Sequence, residues 1–445
     1  MATSYLSRTI TPSTINKKRF TFSAWVKIDN LTAEGDILSF NGSTDYTALR
    51  IKNADRIDFI TYDGGVNARR VSTAKYRDCS AFYHVVLSVN SDDATADDRI
   101  KIYVNGERLT AFDSSVNPSS GFEFINNNKV NLNIGSNVDQ TPTRWYFGGI
   151  MSHVHFIDGL TYDASAFGET DVTTGIWKPI TAPSVTYGTN GFFLKGENSG
   201  ALGTDSSGNG NDFTINGTPT QTVDTPSNVF ATMNPLYRTT NINFSNGNNT
   251  ITSSSGSWNA PASTLAASTG KWYVEGKTTG YNHNAVGVAS NPNDNSAGYP
   301  FEIAGGYGYK LYTGGTTTQG ADNVSYGDTL ANGDIFQIAL DLDNSKIYFG
   351  KNGTWQNSGV PTSGATGTGA AFTLPSNETY HFVNALNLQT GGASSQWNFG
   401  NGYFGTTAVA SAGTSTSGDD SIWEYDCPTG YYGLNTKNIN EQEYS

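Results

Sequence analysis

The sequence predicts an all-β protein, built as two tandem antiparallel β-sandwich domains of jelly-roll type. Three observations predict it. Apolar and polar residues alternate at period two along many short segments, the pattern of half-buried strands. Two Asn-Gly pairs, Asn105-Gly106 and Asn352-Gly353, sit between such segments, where both residues tolerate the positive φ of a two-residue hairpin. Charged residues make up only 15% and aromatics 12%, with 50 glycines; that mix describes short strands joined by turns and argues against disorder. At 445 residues the chain can form two or three domains, each with its own core.

The elements follow in order. Phe20, Phe22, Ala24, Val26 and Ile28 share one face of the first long strand. Further strands are predicted at 36–40, 47–51, 56–61 and 83–89. Ile100, Ile102 and Val104 alternate up to the first Asn-Gly. Segments 130–135 and 149–157 complete a pair of sheets, and 191–194 adds one more strand. These fill a first domain, 1–196. Residues 197–236 are turn-rich from Thr204 to Asp212 and are punctuated by Pro219, Pro226 and Pro235, which predicts a domain edge followed by a linker. A second domain, 237–409, holds strands at 250–251, 271–275, 285–289, 307–312, 335–342, 346–350, 380–388 and 396–399. The small, mostly polar residues from 410 to 418 predict a flexible spacer. The tail beyond it carries Trp423, Tyr425, Tyr431 and Tyr432, and such aromatics predict docking on a neighbouring molecule. Amphipathic helices are scarce.

The net charge is −13. Nucleic-acid binders present basic patches; the densest basic points here, Lys17-Lys18-Arg19 and Arg69-Arg70, read as solvated strand ends, so no nucleic-acid partner is expected. Cys79 and Cys427 lie too far apart in sequence to suggest a disulfide framework. No apolar stretch reaches the length of a membrane helix, so no membrane insertion is expected. Met1 to Ile10 shows no basic region followed by an apolar run, which predicts folding in a cytoplasm.

Several stretches carry a family likeness. Phe20 to Lys27, Phe82 to Leu87, Ile102 to Glu107, Asn133 to Ser136, and Phe147 to Ile150 with Phe156 to Leu160 resemble the laminin G-like, concanavalin A-like lectin superfamily across about 190 residues. Gly270 to Glu275, Val286 to Ala289, Gly306 to Lys310, Gly333 to Asp343, Lys346 to Gly353 and Trp397 to Gly400 resemble SPRY domains. The two in tandem, with the linker Phe230 to Leu236 and the motif Pro428 to Asn438, are similar to virion structural proteins of tailed phages, particularly marine and cyanobacterial ones.

The sequence shows little catalytic chemistry. Glycoside hydrolysis needs two placed carboxylates, and the alternating Glu–Asp–Glu strand that the resemblance would supply is missing. Asp92, Asp93, Asp97 and Asp98 cluster between two strands. A solvated turn is the plain reading and a calcium site the sharper one, because hard cations take clustered loop oxygens. Asp205 to Asp212 is a weaker calcium candidate, since that composition is also ordinary turn chemistry. Cys79 lies five residues from His84, but His84 sits in an alternating strand and reads as packed. His153 and His155 share a face without a third ligand nearby. No Gly-rich phosphate loop precedes a helix. No cofactor is expected beyond calcium, and no enzymatic activity.

Binding is what remains. The SPRY resemblance implies partner contacts through loops at one end of the sandwich, here Tyr281 to Asn284, Asn291 to Tyr299 and Thr313 to Asn323. Tyr281, His283, Asn291, Asp294, Tyr299 and Tyr312 are the candidate contact residues. The expected role is a non-enzymatic phage structural protein — capsid decoration, tail or fibre — made in the host cytoplasm and released in the virion by lysis. Its expected partners are other virion proteins, further copies of itself, and a host-surface glycan or protein. The alternatives are a secreted bacterial lectin or adhesin, and a polysaccharide depolymerase.

Overall fold

The computed structural model describes residues 4–443 apart from 30, 32, 43, 53, 138–144, 174, 238–239, 255, 282, 293–298, 319–320, 389–391, 412 and 414–419. The chain divides into two compact units, Met1–Gln221 and Thr222–Ser445, and the fold is all-β as the alternation predicts.

In the first unit an eight-stranded sheet runs in the order Phe112–Val116, Val66–Ser72, Arg56–Tyr62, Tyr46–Lys52, Gly35–Asn41, Asn131–Ile134, Tyr5–Thr9, Thr214–Asn216. A six-stranded sheet runs Phe192–Leu194, Gly149–Asp158, Arg19–Ile28, Tyr83–Asn90, Ile100–Val104, Glu107–Arg108. Phe20, Phe22 and Val26 from one sheet and Phe40, Leu49 and Phe59 from the other belong to a single core. The predicted hairpin forms: Asn105 and Gly106 have φ of 49° and 89°, and Asn105 Oδ1 accepts the His84 backbone N–H at 2.8 Å. Arg69 and Arg70 are not strand ends. Both lie inside Val66–Ser72, and Arg70 is buried.

The second unit is also built on two main sheets. The larger runs Ile242–Ser245, Thr250–Ser253, Ala393–Asn398, Lys271–Tyr281, Ile335–Asp341, Lys346–Lys351, Thr354–Trp355. The other is five-stranded: Ala321–Ser325, Gly315–Thr318, Gly306–Lys310, Asn284–Ala289, His381–Leu386. Trp272, Val274, Phe336, Phe349, Phe382 and Trp397 fill the core. Asn352 and Gly353 repeat the hairpin with φ of 48° and 81°. The stretch Thr313 to Asn323, expected as a loop, mostly forms two strands, Gly315–Thr318 and Ala321–Ser325.

The tail departs most from expectation. Trp423, Cys427 and Tyr431 are buried with Tyr273, Ala339 and Tyr348 in a second small core on the non-core face of the larger sheet. Tyr432–Gly433 pairs in parallel with Lys271–Tyr281, and a helix, Thr436–Glu443, follows. The Tyr431 hydroxyl donates to the Pro361 carbonyl at 2.9 Å. The tail completes its own unit, because Tyr273 and Tyr348 would otherwise stand bare on the sheet. Trp423 and Tyr431 are therefore not available to a neighbour, and Tyr425 and Tyr432 are half-buried. The expected spacer, 410–418, falls largely outside the described residues.

Candidate functional site

The non-core face of the eight-stranded sheet carries the most unusual chemistry. One face of an antiparallel sheet packs on the core and the other is ordinarily solvated, so polar residues there need no explanation unless they are buried. Here they are buried. Register places Asp36, Arg50 and Asp58 in one row across three strands. Asn133, Ser39, Ala48, Ile60 and Arg69 form the next row. Asp36, Ser39, Arg50, Asp58 and Asn133 are each at most 2% exposed.

Part of this face is satisfied. Asp58 accepts Arg50 Nε and Nη2, both at 3.2 Å, and Arg69 Nη2 at 3.0 Å. Ser39 donates to the Ser136 carbonyl at 2.7 Å and accepts Asn41 Nδ2 at 2.8 Å. The rest is not. Both Asp36 carboxylate oxygens, Arg50 Nη1, Asn41 Oδ1, Asn133 Oδ1, the Ser136 hydroxyl and both amide atoms of Asn137 are buried without a hydrogen-bond partner. Buried polar groups are nearly always paired, and each orphan costs roughly 1–3 kcal/mol. Burial pushes the Asp36 carboxyl up to about 7, against the opposing pull of Arg50 and the Asn137 amide. Half-exposed rings border the strip: Tyr46 stacks on Tyr62 at 5.6 Å, and Trp145 lies under Arg50 and Lys52 at 4.9 and 4.3 Å. The strip thus gathers unpaired donors and acceptors beneath a rim of half-exposed rings.

The expected calcium sites do not assemble. Asp92 faces Lys18 at 3.7 Å. Asp93 Oδ1 accepts the Thr95 N–H at 2.9 Å, Asp97 accepts Asn117 Nδ2 at 2.8 Å, and Asp98 pairs with Arg108 at 2.6 Å. Their carboxylates turn to separate partners and do not converge. Asp205 accepts the Phe193, Ser207 and Asn211 N–H groups at 2.8–2.9 Å, which is turn chemistry. Among the described residues no three His, Cys, Asp or Glu side chains gather as a metal site would require.

The nucleophile and base candidates read from the sequence are packed into the fold. His84 is fully buried. The indole Nε1–H of Trp177, a donor only, reaches its Nδ1 at 3.0 Å. His84 therefore carries its proton on Nε2 and donates it to Ser23 Oγ at 2.8 Å, so it cannot act as a base toward that hydroxyl. Burial pushes His84 down to about 3 and the Cys79 thiol up to about 12. His153 and His155 both lie against Phe193, at 6.2 and 3.9 Å; His155 is bonded to the Tyr187 hydroxyl at 3.0 Å.

In the second unit, three of the predicted contact residues come together at one end of the five-stranded sheet. His283 stacks on Tyr312 at 4.9 Å, and Trp258, which sequence reasoning missed, touches both Tyr299 at 4.5 Å and His283 at 6.1 Å. Tyr299 is buried, not exposed as expected, because Trp258 and Phe301 enclose it. Asn291 is exposed, Tyr281 ends a strand, and Asp294 lies outside the described residues.

No curated protein matches the sequence. Solved structures with similarity include the SPRY domain of human HERC1, 18% identical, covering 35% of this chain and 91% of that one with a TM-score of 0.29. A human SPRY domain is 14% identical over 35% of this chain and 94% of that one, with a TM-score of 0.27. A candidate carbohydrate binding protein from Bacteroides ovatus ATCC 8483 is 17% identical over 48% and 56%, with a TM-score of 0.32. Residues 3–165, within the first unit, match the family model of the concanavalin A-like lectin/glucanases superfamily.

Proposed function

We propose that the chain is a non-catalytic recognition protein whose first unit binds a saccharide across the polar strip of its eight-stranded sheet. One observation carries this: the buried, unpartnered atoms of Asp36, Arg50, Asn133, Ser136 and Asn137 on one sheet face. Neighbouring acceptors and donors with rings at the rim suit the hydroxyls and apolar faces of sugars. A cation fits less well, because the Arg50 guanidinium acts directly on Asp36.

The test is titration of the full chain with bacterial capsular polysaccharide and lipopolysaccharide O-chain, followed by calorimetry. Asp36→Asn and Asn137→Ala should each weaken binding about tenfold or more, as losing hydrogen bonds to a charged or amide group implies. Unchanged affinity in both variants rejects the site.

A tailed-phage particle is the setting we propose, supported by the tandem resemblance, the linker and the Pro428 to Asn438 motif. Purified particles lacking the protein by mass spectrometry would overturn that setting without touching the saccharide site. The depolymerase reading has one observation in its favour, a carboxyl group on that face raised into the range of a general acid. Against it, both oxygens of Asp58, the other carboxylate of the row, are occupied by the guanidinium groups of Arg50 and Arg69. Release of reducing ends from the polysaccharide, abolished in Asp36→Asn, would restore the enzyme.

A further inference from the structure

A second polar–aromatic corner lies in the second unit, where Asn284–Ala289 begins and Gly306–Lys310 and His381–Leu386 end. Three half-exposed rings form it: Trp258, His283 and Tyr312. The backbone fixes them. Asn259 pairs with Leu386, Leu311 donates its N–H to the Asn284 carbonyl at 2.9 Å, and Asn387 donates its N–H to the His283 carbonyl at 3.1 Å. Beneath the rings, Tyr299 and Asn387 are 5% and 4% exposed. The Tyr299 hydroxyl, His283 Nδ1 and Asn387 Oδ1 are all buried without a hydrogen-bond partner. Three such atoms around one ring cluster is not a packing accident that a fold tolerates freely.

We propose that this corner is a second saccharide site, taking the apolar face of a sugar ring on Trp258 and Tyr312 and its hydroxyls on His283, Tyr299 and Asn387. The chemistry decides the class. Asn387 Oδ1 only accepts, and a neutral imidazole nitrogen and a phenol can each accept, so the ligand brings grouped donors. The ammonium of Lys310 is already held by Asp322 and lies 5.3 Å over the Tyr299 ring, so no charge is left to attract an ion. An extended peptide would offer donors and acceptors in equal number along a line; a ring bearing hydroxyls groups its donors beside an apolar face. The site shares no residue with the strip on the first unit.

The experiment uses the full chain carrying Asp36→Asn and Asn137→Ala, titrated with the repeating-unit oligosaccharide of the same lipopolysaccharide O-chain. Saturation-transfer NMR and calorimetry are the readouts. Retained binding that Trp258→Ala weakens about tenfold or more supports the corner. Tyr299→Phe removes only the hydroxyl; it should weaken binding severalfold while leaving the melting temperature unchanged or higher, since an unpaired buried group is removed. If Tyr299→Phe changes stability alone and Trp258→Ala leaves binding intact, the inference is overturned. If the doubly substituted chain binds nothing while the parent binds, the corner fails and the first site stands. If a peptide binds the corner and no saccharide does, the ligand class is wrong.

Discussion

Each unit buries a carboxyl group whose ionisation is pushed up to about 7, and the two are held in opposite ways. Glu275 of the second unit accepts three donors: the Glu424 N–H at 2.8 Å, the Tyr425 N–H at 2.9 Å and the Tyr273 hydroxyl at 2.8 Å. It fastens the tail to the sheet. Neither carboxylate oxygen of Asp36 in the first unit meets a donor in good hydrogen-bond geometry, although the Arg50 guanidinium and the Asn137 amide lie close enough to act on it. Burial raises both, so the shift alone does not tell a structural latch from a binding group. The hydrogen-bond inventory does, because a latch is answered within the fold and a binding group waits for its ligand.

The largest test of the contrast removes the tail. Deleting residues 421–443 should unfold the second unit while the first still melts cooperatively, seen as the loss of one of two calorimetric transitions. Sequence reasoning expects the opposite, that both domains survive, since it treats the tail as an outward docking segment. Trp423→Ala alone should cost about 3–5 kcal/mol, the usual range for a buried Trp truncation. A second unit that keeps its transition without the tail would show that Glu275 latches nothing.

The next effect is the pH dependence of the latch. A carboxyl raised in the fold binds its proton more tightly there than in the unfolded chain. Its stabilisation is complete below the unfolded value near 4.5 and is lost as pH rises through about 7. The second unit should lose about 2–3 kcal/mol between pH 4.5 and 8, an order-of-magnitude figure. Glu275→Gln, neutral throughout, should flatten that slope in denaturant titrations.

Asp36 obeys the same sign in the first unit, but with ligand the outcome reverses. Asp36→Asn should raise the first unit's stability at pH 8 by about 2 kcal/mol by removing a buried charge that Arg50 only partly offsets, while weakening saccharide binding. Binding by the parent should strengthen as pH rises through about 7, since the carboxylate is the better acceptor. If Asp36→Asn destabilises the first unit, Asp36 is a structural group like Glu275 and the contrast collapses.

The smallest effects should be equal in the two units. Asn105 and Asn352 each occupy a left-handed hairpin position, and each side-chain oxygen accepts the backbone N–H of a residue on the adjacent strand, His84 and Ile335, at 2.8 Å. Replacing either with Ala should cost about 1 kcal/mol by thermal melts.

These hairpins were legible in the sequence because their signal is local: two residues with special φ between alternating strands. The core faces of Arg19–Ile28 and Tyr83–Asn90 were legible for the same reason. The short Tyr432–Gly433 strand was not, since two residues carry no period and their partner lies some 160 positions earlier in the chain. The strip around Asp36 escaped for a different reason. Polar residues at alternate positions are what a solvated sheet face requires, and only the assembled fold reveals that this one is buried. Trp258 stayed hidden among polar and small residues that form no long strand, so nothing in its neighbourhood announced a contact with Tyr299 and His283.

The parallel pairing of Tyr432–Gly433 with Lys271–Tyr281 also sets an order of events during synthesis. Closing the first unit needs Thr214–Asn216 against Tyr5–Thr9, all of which have left the ribosome before the second unit begins. The second unit's outer core needs Trp423 and Tyr431, so the sheet strand made at residue 271 waits with Tyr273 uncovered until the tail emerges. Non-local closure of this kind is slow, and surfaces left bare meanwhile are prone to aggregation. The first unit can be native while the second is still incomplete, and termination after residue 400 but before Trp423 would release a chain with one finished domain and one sticky sheet.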